Sequence, residues 1–273
     1  MRIKHNSKLT GITAAGVVCA GALGIATGCG GDGAASASSN SEAATTETTA
    51  ATSAELPQGS EPANLDPADF TTGIDNPYFP MKPGNKWIYE ETDTVGGHER
   101  VVVEVTDKTK MIANGVEARV IRDTVSEKGV PVEITDDWYA QDSAGNIWYL
   151  GEYVSNYKDG KVVDHTGSFE AGVDGAEAGV AMPANPTAGM EYRQEYYAGE
   201  AEDEGAVITV GQESVEVPFG FFDKDVLMTR DLVPTEPKVE ELKFYAPGVG
   251  PLLSVHTDGT GGRGELVKFV EGG

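Results

Sequence analysis

The sequence predicts an all-β domain, an antiparallel meander that forms a barrel or a curled sandwich, preceded by a disordered N-terminal tether. Apolar and polar residues alternate with a period of two in a series of segments, and short Gly-, Asp- and Asn-rich turn sequences separate them. Only residues 66–69 suggest even a short helical turn. So many strands joined by short turns are expected to curl or close. The predicted strands are 86–93, 99–106, 117–126, 131–141, 146–157, 161–166, 190–198, 205–217, 224–232, 238–246, 250–257 and 263–270.

The domain is predicted to open with the sequence DNPYFPMKPGNKWIYE at 75–90. Asn76-Pro77 favours a turn, because proline fixes its own φ and keeps the preceding residue out of the helical region. Pro83-Gly84 fits the central positions of a type II turn, after which the first strand begins. The prolines lack the spacing of a polyproline ligand, so the segment is interpreted as a domain start. Its apolar anchors are Tyr78, Phe79 and Met81.

Aromatic residues crowd one predicted hairpin, DDWYAQDSAGNIWYLGEY at 136–153. A two-residue turn at 144–145 places them on both faces, Trp138 with Tyr149 on one and Tyr139 with Trp148 on the other. Because an ordinary half-buried strand keeps one face polar, both faces are expected to be covered. The cover on the second face is either a loop of the chain or a bound partner or ligand. The candidate ligand-binding residues are Trp138, Tyr139, Trp148, Tyr149 and, from the segment that follows, Met182.

Residues 167–192 are too rich in glycine, and too closely bounded by proline, to be predicted as a strand. A loop of this length in a compact domain usually serves a function. Two interpretations stay open. The loop is either a lid that caps the open end of a barrel through Met182, or a plug that completes the core.

A run of acidic residues follows at 200–204 and supplies hard oxygen ligands that suit Ca²⁺. The candidate ligands are Glu200, Glu202 and Asp203. The run lacks the D-x-D-x-D-G spacing of a calcium loop, so a solvated acidic turn is the alternative.

Catalytic signatures do not occur in the sequence, which has no phosphate loop, dinucleotide fingerprint, HExxH pair or G-x-S-x-G elbow. His98, His165 and His256 are scattered near strand ends. We therefore expect a protein that is not an enzyme and that uses no cofactor.

The N-terminus predicts export and a lipid anchor. Basic residues precede an uncharged run that ends in IATGC, which places Cys29 after small residues, as in a bacterial lipobox. An ordinary signal peptide with an incidental cysteine is the alternative. The predicted organisation is a signal peptide at 1–28, a disordered Ala/Ser/Thr/Glu-rich tether at 29–65 and one all-β domain at 66–273. Acyl chains on Cys29 would hold the chain, facing outward, at a bacterial cell envelope.

The formal net charge of −24 argues against a nucleic-acid partner, because phosphate backbones repel an acidic surface. It allows cationic ligands or a basic envelope partner. The two cysteines leave a mature chain without a disulfide, since Cys19 lies inside the predicted signal and Cys29 would be acylated.

The segment NPYFPMKPGNKWIY resembles the opening of a family of uncharacterised bacterial envelope lipoproteins, with Met81 where leucine is usual. The likeness continues in DWYAQDSAGNIWYLGE, AGVDGAEAGVAMPANP, YRQEYYAGEAED and YAPGVGPLL. The resemblance implies an envelope address and a β fold, and transfers no catalytic role.

These observations predict a lipid-anchored, non-enzymatic envelope protein that binds an apolar or amphipathic ligand or serves envelope maintenance. One alternative is an interaction or adhesion module with exposed aromatic residues. Another is a hydrolase or calcium-binding protein.

Overall fold

The computed structural model describes residues 56–234, 240–257 and 261–273, so the predicted signal peptide, Cys29 and the tether up to residue 55 lie outside the described residues. The described chain contains strands, a single 3₁₀ turn at Pro67–Asp69 and no α-helix, which confirms the all-β prediction. The strands are β1 (Phe70–Thr71), β2 (Lys86–Thr92), β3 (His98–Met111), β4 (Glu117–Glu127), β5 (Val130–Asp142), β6 (Ile147–Lys158), β7 (Lys161–Asp164), β8 (Phe169–Glu170), β9 (Glu177–Met182), β10 (Glu191–Tyr197), β11 (Ala201–Val210), β12 (Val215–Val217), β13 (Gly220–Phe222), β14 (Leu227–Leu232), β15 (Glu240–Ala246), β16 (Gly250–His256) and β17 (Arg263–Val270).

Twelve of these strands form a closed antiparallel barrel. Their order is β5-β4-β3-β2-β17-β16-β15-β14-β11-β10-β9-β6, and β6 pairs with β5 to close the ring. Most neighbours around the barrel are also neighbours in sequence, as in a meander. The short strands β1, β7 and β8 pair with β5 or β6 alone, and β12 with β13 forms a separate hairpin between β11 and β14.

The barrel has one apolar end, closed by the segment predicted to open the domain. Phe79 N donates to Asn76 O in the first turn, and Gly84 has a φ of 91° in the second, as the prolines predicted. Phe79 packs edge-on against Trp87 and Tyr139, at centroid distances of 5.6 and 6.4 Å. We call this the plugged end. It lies where β2 begins and β17 ends, and Ile74, Tyr78, Phe79 and Met81 join its core.

The hairpin of β5 and β6 has a register one residue away from the predicted one. Its turn contains three residues, because the Asp142 carboxylate accepts the amide of Asn146 and Gly145 takes a φ of 97°. Tyr139 is therefore directly opposite Tyr149, and both rings point into the barrel. A slip of one residue moves a side chain to the other face, so the predicted grouping of Trp138 with Tyr149 was wrong.

The outer face of the same hairpin is covered by the chain itself. Trp138 and Leu150 belong to a second apolar cluster outside the barrel, against which Leu65 and Phe70 pack. Aromatic residues on both faces are thus explained by a covering segment, which was one of the two interpretations that the sequence left open.

Residues 167–192 are not a loop throughout, because β9 lies within them and forms part of the barrel wall. A Cβ on Gly179 would lie 2.1 Å from the backbone oxygen of Gln194 on β10. Small residues let β9 approach β10 closely, so the composition that argued against a strand reflects tight packing.

Ordered structure begins before the predicted domain boundary at residue 66. The buried Arg193 guanidinium on β10 donates to the backbone oxygens of Gly59 and Glu61, at 2.8 and 2.5 Å, and of Ala178 at 2.6 Å. The amide of Arg193 donates to Pro57 O at 2.7 Å. Composition alone does not reveal this contact, because the acceptors are main-chain carbonyls that every residue type offers.

Candidate functional site

The end of the barrel opposite the plug is acidic inside. We call it the acidic end, and it lies where β2 ends and β3 begins. Inward positions that carry Val, Ile or aromatic residues near the plug carry carboxylates here. Eight of these carboxylates, each at most 5% exposed, form what we call the acidic layer: Glu91, Glu99, Asp123, Asp137, Glu152, Glu195, Asp203 and Asp231.

Asp123 on β4 has the least support within this layer. It is 1% exposed, and neither of its carboxylate oxygens has a hydrogen-bond partner of good geometry among the described residues. Burial raises the pKa of Asp123 well above its ordinary value, and the charges of Asp137, Glu91 and Glu133 raise it further.

Asp137 and Glu152 face each other across β5 and β6. Burial raises the pKa of Asp137 to about 8, although the Tyr149 hydroxyl, which donates to it at 3.1 Å, opposes this rise. Burial, with the charges of Asp137 and Glu195, also raises the pKa of Glu152 well above its usual range. These groups prefer to be neutral or to share a cation.

One cation is already part of the acidic end. Lys243 Nζ on β15 lies 2.6 Å from Asp231 Oδ2 and 3.3 Å from Glu241 Oε2. Burial alone would lower the pKa of Lys243, but these two carboxylates outweigh that effect and raise it well above its usual range. The barrel therefore stabilises a buried ammonium between two carboxylates.

Tyrosines separate the acidic layer from the apolar core. Burial is the main cause that raises the pKa of Tyr139, and the charges of Asp137 and Glu152 raise it further. The Tyr139 hydroxyl therefore lies beside the acidic layer. The hydroxyls of Tyr139 and Tyr192 have no hydrogen-bond partner among the described residues. Aromatic faces beside carboxylates are the surroundings that proteins use to hold organic ammonium groups. The buried tyrosines of the barrel core are Tyr78, Tyr89, Tyr139, Tyr149, Tyr192 and Tyr245.

The predicted ligand-binding residues divide between two places. Tyr139, Tyr149 and Met182 lie inside the barrel and are fully buried, with the two tyrosine rings 5.0 Å apart. Trp138 and Trp148 lie on the outer face. Lys110 Nζ is 4.3 Å from the Trp138 ring, and Trp148 Nε1 donates to Asp142.

The predicted calcium ligands are not brought together. Glu200 lies in the turn after β10, Glu202 accepts the amide of Gly199, and Asp203 belongs to the acidic layer. Alternation along β11 separates Glu202 from Asp203. A cavity of about 270 Å³ beside β10 and β11 is lined in part by both. Within the described ranges, no group of three or more His, Cys, Asp or Glu could hold a metal ion.

The three histidines have separate surroundings. His98 pairs with Glu90 at 3.1 Å, and His256 lies 3.7 Å from Glu241. His165 contacts Val154 O through Nδ1 and stacks on Tyr153. These contacts assemble no Ser-His-Asp arrangement around any of the three.

The acidic layer was missed by the sequence reasoning, although a signal was present. In β4 the inward positions 121, 123 and 125 read Ile, Asp and Val, and in β2 the positions 87, 89 and 91 read Trp, Tyr and Glu. A carboxylate inside an otherwise apolar period-two stripe is the pattern that marks a buried charge. Each case looked like ordinary alternation when read alone.

Comparisons with known proteins add little. No protein-family model and no curated protein matches the chain. One similar solved structure is described as a "putative lipoprotein" from Parabacteroides distasonis, and another as a "putative exported protein with YmcC-like fold" from Bacteroides fragilis. They are 14% and 15% identical, each with a TM-score of 0.38, over 71% of this chain and 98% and 99% of theirs. A likeness of this degree supports no inference about function. In the parts of the chain that the structure describes, no helix is long and apolar enough to span a bilayer.

Proposed function

We propose that this protein is a lipid-anchored component of a bacterial cell envelope that binds an amphipathic ligand carrying an organic ammonium group. It carries out no catalysis in this proposal. The lipobox-like sequence before Cys29 and the tether after it support the location. The acidic layer supports the ligand class.

The observation that carries the proposal is the imbalance of buried charge in the acidic layer. Lys243 is the only buried lysine among the described residues and pairs with Asp231, whereas burial raises the pKa of four further carboxyl groups, those of Asp123, Asp137, Glu152 and Glu195. In a medium of low dielectric constant, carboxylates without a counter-charge must be protonated or must bind a cation. Neither oxygen of Asp123 has a hydrogen-bond partner of good geometry among the described residues, and a cation with N–H donors would supply one.

An organic cation fits this geometry better than a metal ion does. Calcium needs six to eight oxygens converging at about 2.3–2.6 Å. An ammonium instead needs two or three acceptors at hydrogen-bond distance, as Lys243 already has with Asp231 and Glu241.

Binding of hexylamine at pH 7, compared with hexanol and Ca²⁺ by calorimetry and native mass spectrometry, tests the proposal. We expect hexylamine to bind and hexanol not to bind. Asp123→Asn should weaken the amine by roughly tenfold, the loss expected for one charge-assisted hydrogen bond. Asp136→Asn is the matched control, because its carboxylate lies next to the layer in sequence but pairs with Arg122.

Equal binding of hexanol and hexylamine would show an apolar site without a role for the layer. Binding of Ca²⁺ alone would favour the calcium alternative. The anchor is tested separately with the Cys29→Ser variant. Palmitate labelling and cell fractionation should show that this variant is neither acylated nor associated with the membrane.

A further inference from the structure

The two most exposed phenylalanine side chains of the described chain lie on one hairpin at the plugged end of the barrel. The β12–β13 hairpin belongs to the connection 211–226, which joins the end of β11 to the start of β14. Phe221 is 62% exposed and Phe219 is 37% exposed. Exposed apolar side chains of this size, placed next to each other, mark a surface that a membrane or a partner covers.

The hairpin is held in place, so this exposure belongs to the fold. Phe219 N donates to Leu266 O on β17 at 3.0 Å. The Phe219 ring stacks on Phe222 at 6.2 Å and meets Phe269 edge-on at 6.4 Å. Phe221 is opposite Glu216 across the hairpin. Its ring points outward, on the face of the hairpin opposite to Phe222.

The described chain begins in the same half of the barrel. Gln58 Nε2 donates to the backbone oxygen of Glu191 at 2.7 Å, and Glu191 is the first residue of β10, at the plugged end. Leu56 packs against the barrel core. The described chain therefore begins beside β10, and its residues Pro57, Gly59 and Glu61 contact Arg193 on that strand.

We infer that the plugged end rests on the lipid bilayer, with Phe221 and Phe219 inserted into the interface between headgroups and acyl chains. This inference rests on the proposed lipid anchor. Phenylalanine on an otherwise polar surface partitions into that interface. The acidic end then faces away from the membrane, open to solutes of the envelope.

The anchor explains why so small a patch suffices. Two aromatic side chains bind a bilayer weakly by themselves, but tethering converts the contact into an intramolecular event. Only 27 positions separate Cys29 from Leu56, so the anchor keeps the barrel close to the bilayer.

The test places one label at each end of the acylated full-length chain, reconstituted into phosphatidylcholine vesicles. Phe221→Cys labels the hairpin. Val95→Cys, in the β2–β3 turn at the acidic end and 79% exposed, is the matched control. Cys19 leaves with the predicted signal and Cys29 is acylated, so the introduced cysteine is the free thiol. The measurement is quenching of a fluorescent label by brominated phosphatidylcholine.

We expect the label at 221 to be quenched several-fold more strongly than the label at 95. Equal and weak quenching on vesicles that float with the protein would overturn the inference and leave the anchor intact. Failure of the acylated chain to float with vesicles would instead refute the anchor, and the inference with it. Shielding of the 221 label in Cys29→Ser protein without vesicles, growing with protein concentration, would assign the patch to a second copy and also overturn the inference.

Discussion

Replacing Asp137 by asparagine tests whether the acidic layer opposes folding at neutral pH. Asparagine keeps the size of the side chain and an oxygen that accepts the Tyr149 hydroxyl, but it cannot ionise. In the folded natural chain, the pKa of the Asp137 carboxyl group is raised from the ordinary 3.8 to about 8. Folded protein therefore holds a proton that unfolded protein has released between these two values, and this group's contribution to stability falls as pH rises through that window.

The magnitude follows from linkage. At pH 5 the unfolded chain gains about 2 kcal/mol from ionising Asp137 while the folded chain keeps it neutral; at pH 8 the gain is about 5 kcal/mol. The Asp137→Asn variant should thus gain about 3 kcal/mol of stability over the natural chain between pH 5 and pH 8. Repulsion shared with Glu152 lowers this figure, because removing one charge eases the other.

Urea unfolding of both proteins at pH 5, 6, 7 and 8 measures the difference. Asp136→Asn is again the control, because the partly exposed Asp136 pairs with Arg122 at 2.8 Å and should change stability by no more than about 1 kcal/mol with little pH dependence. Parallel stability curves for Asp137→Asn and the natural chain would refute the argument that Asp137 is buried without adequate compensation.

Three further outcomes follow from packing and charge. Gly179→Ala should cost several kcal/mol in urea unfolding, because its Cβ would lie 2.1 Å from the Gln194 backbone oxygen, whereas Gly73→Ala, with its nearest atom at 3.5 Å, should be nearly neutral. Arg193→Met should release residues 57–61 to protease without unfolding the barrel, and unchanged cleavage there would contradict the role assigned to its three carbonyl contacts. Raising the pH from 5 to 8 should lower the melting temperature of the natural chain. The reason is that burial, followed by the charges of Glu127 and Glu133, raises the pKa of Glu99 to about 7 in the folded chain. A melting temperature that rises over that range would contradict this prediction.

Strand positions and the domain opening were predictable because they depend on local pattern. The alternation in 86–93 and 99–106 matches β2 and β3, and Pro83-Gly84 has the expected turn. The register of the β5–β6 hairpin was not predictable with the same rules. Its turn length depends on a capping bond from Asp142, and a two-residue turn fitted the sequence equally well.

The candidate site was hidden for a different reason. Which strands meet across a barrel of this size depends on closure between β5 and β6, and on β17 pairing with β2 from the far end of the chain. Asp123 and Glu195 are 72 positions apart in sequence, and only closure brings their strands around one interior. The apolar period-two stripe around Asp123 marks that acid as buried, but no local pattern shows that it faces other acids.

The two ends of the barrel therefore contribute differently to folding. Aromatic and aliphatic side chains around Phe79 and Trp87 supply the apolar burial that holds the barrel closed. Carboxylates such as Asp123 work against folding, because charge is costly to bury and their neighbours carry the same sign. A chain that needed only a stable barrel would continue the apolar stripe of β4 through position 123. An acid at this position is the kind of local inconsistency that the proposed binding role would explain.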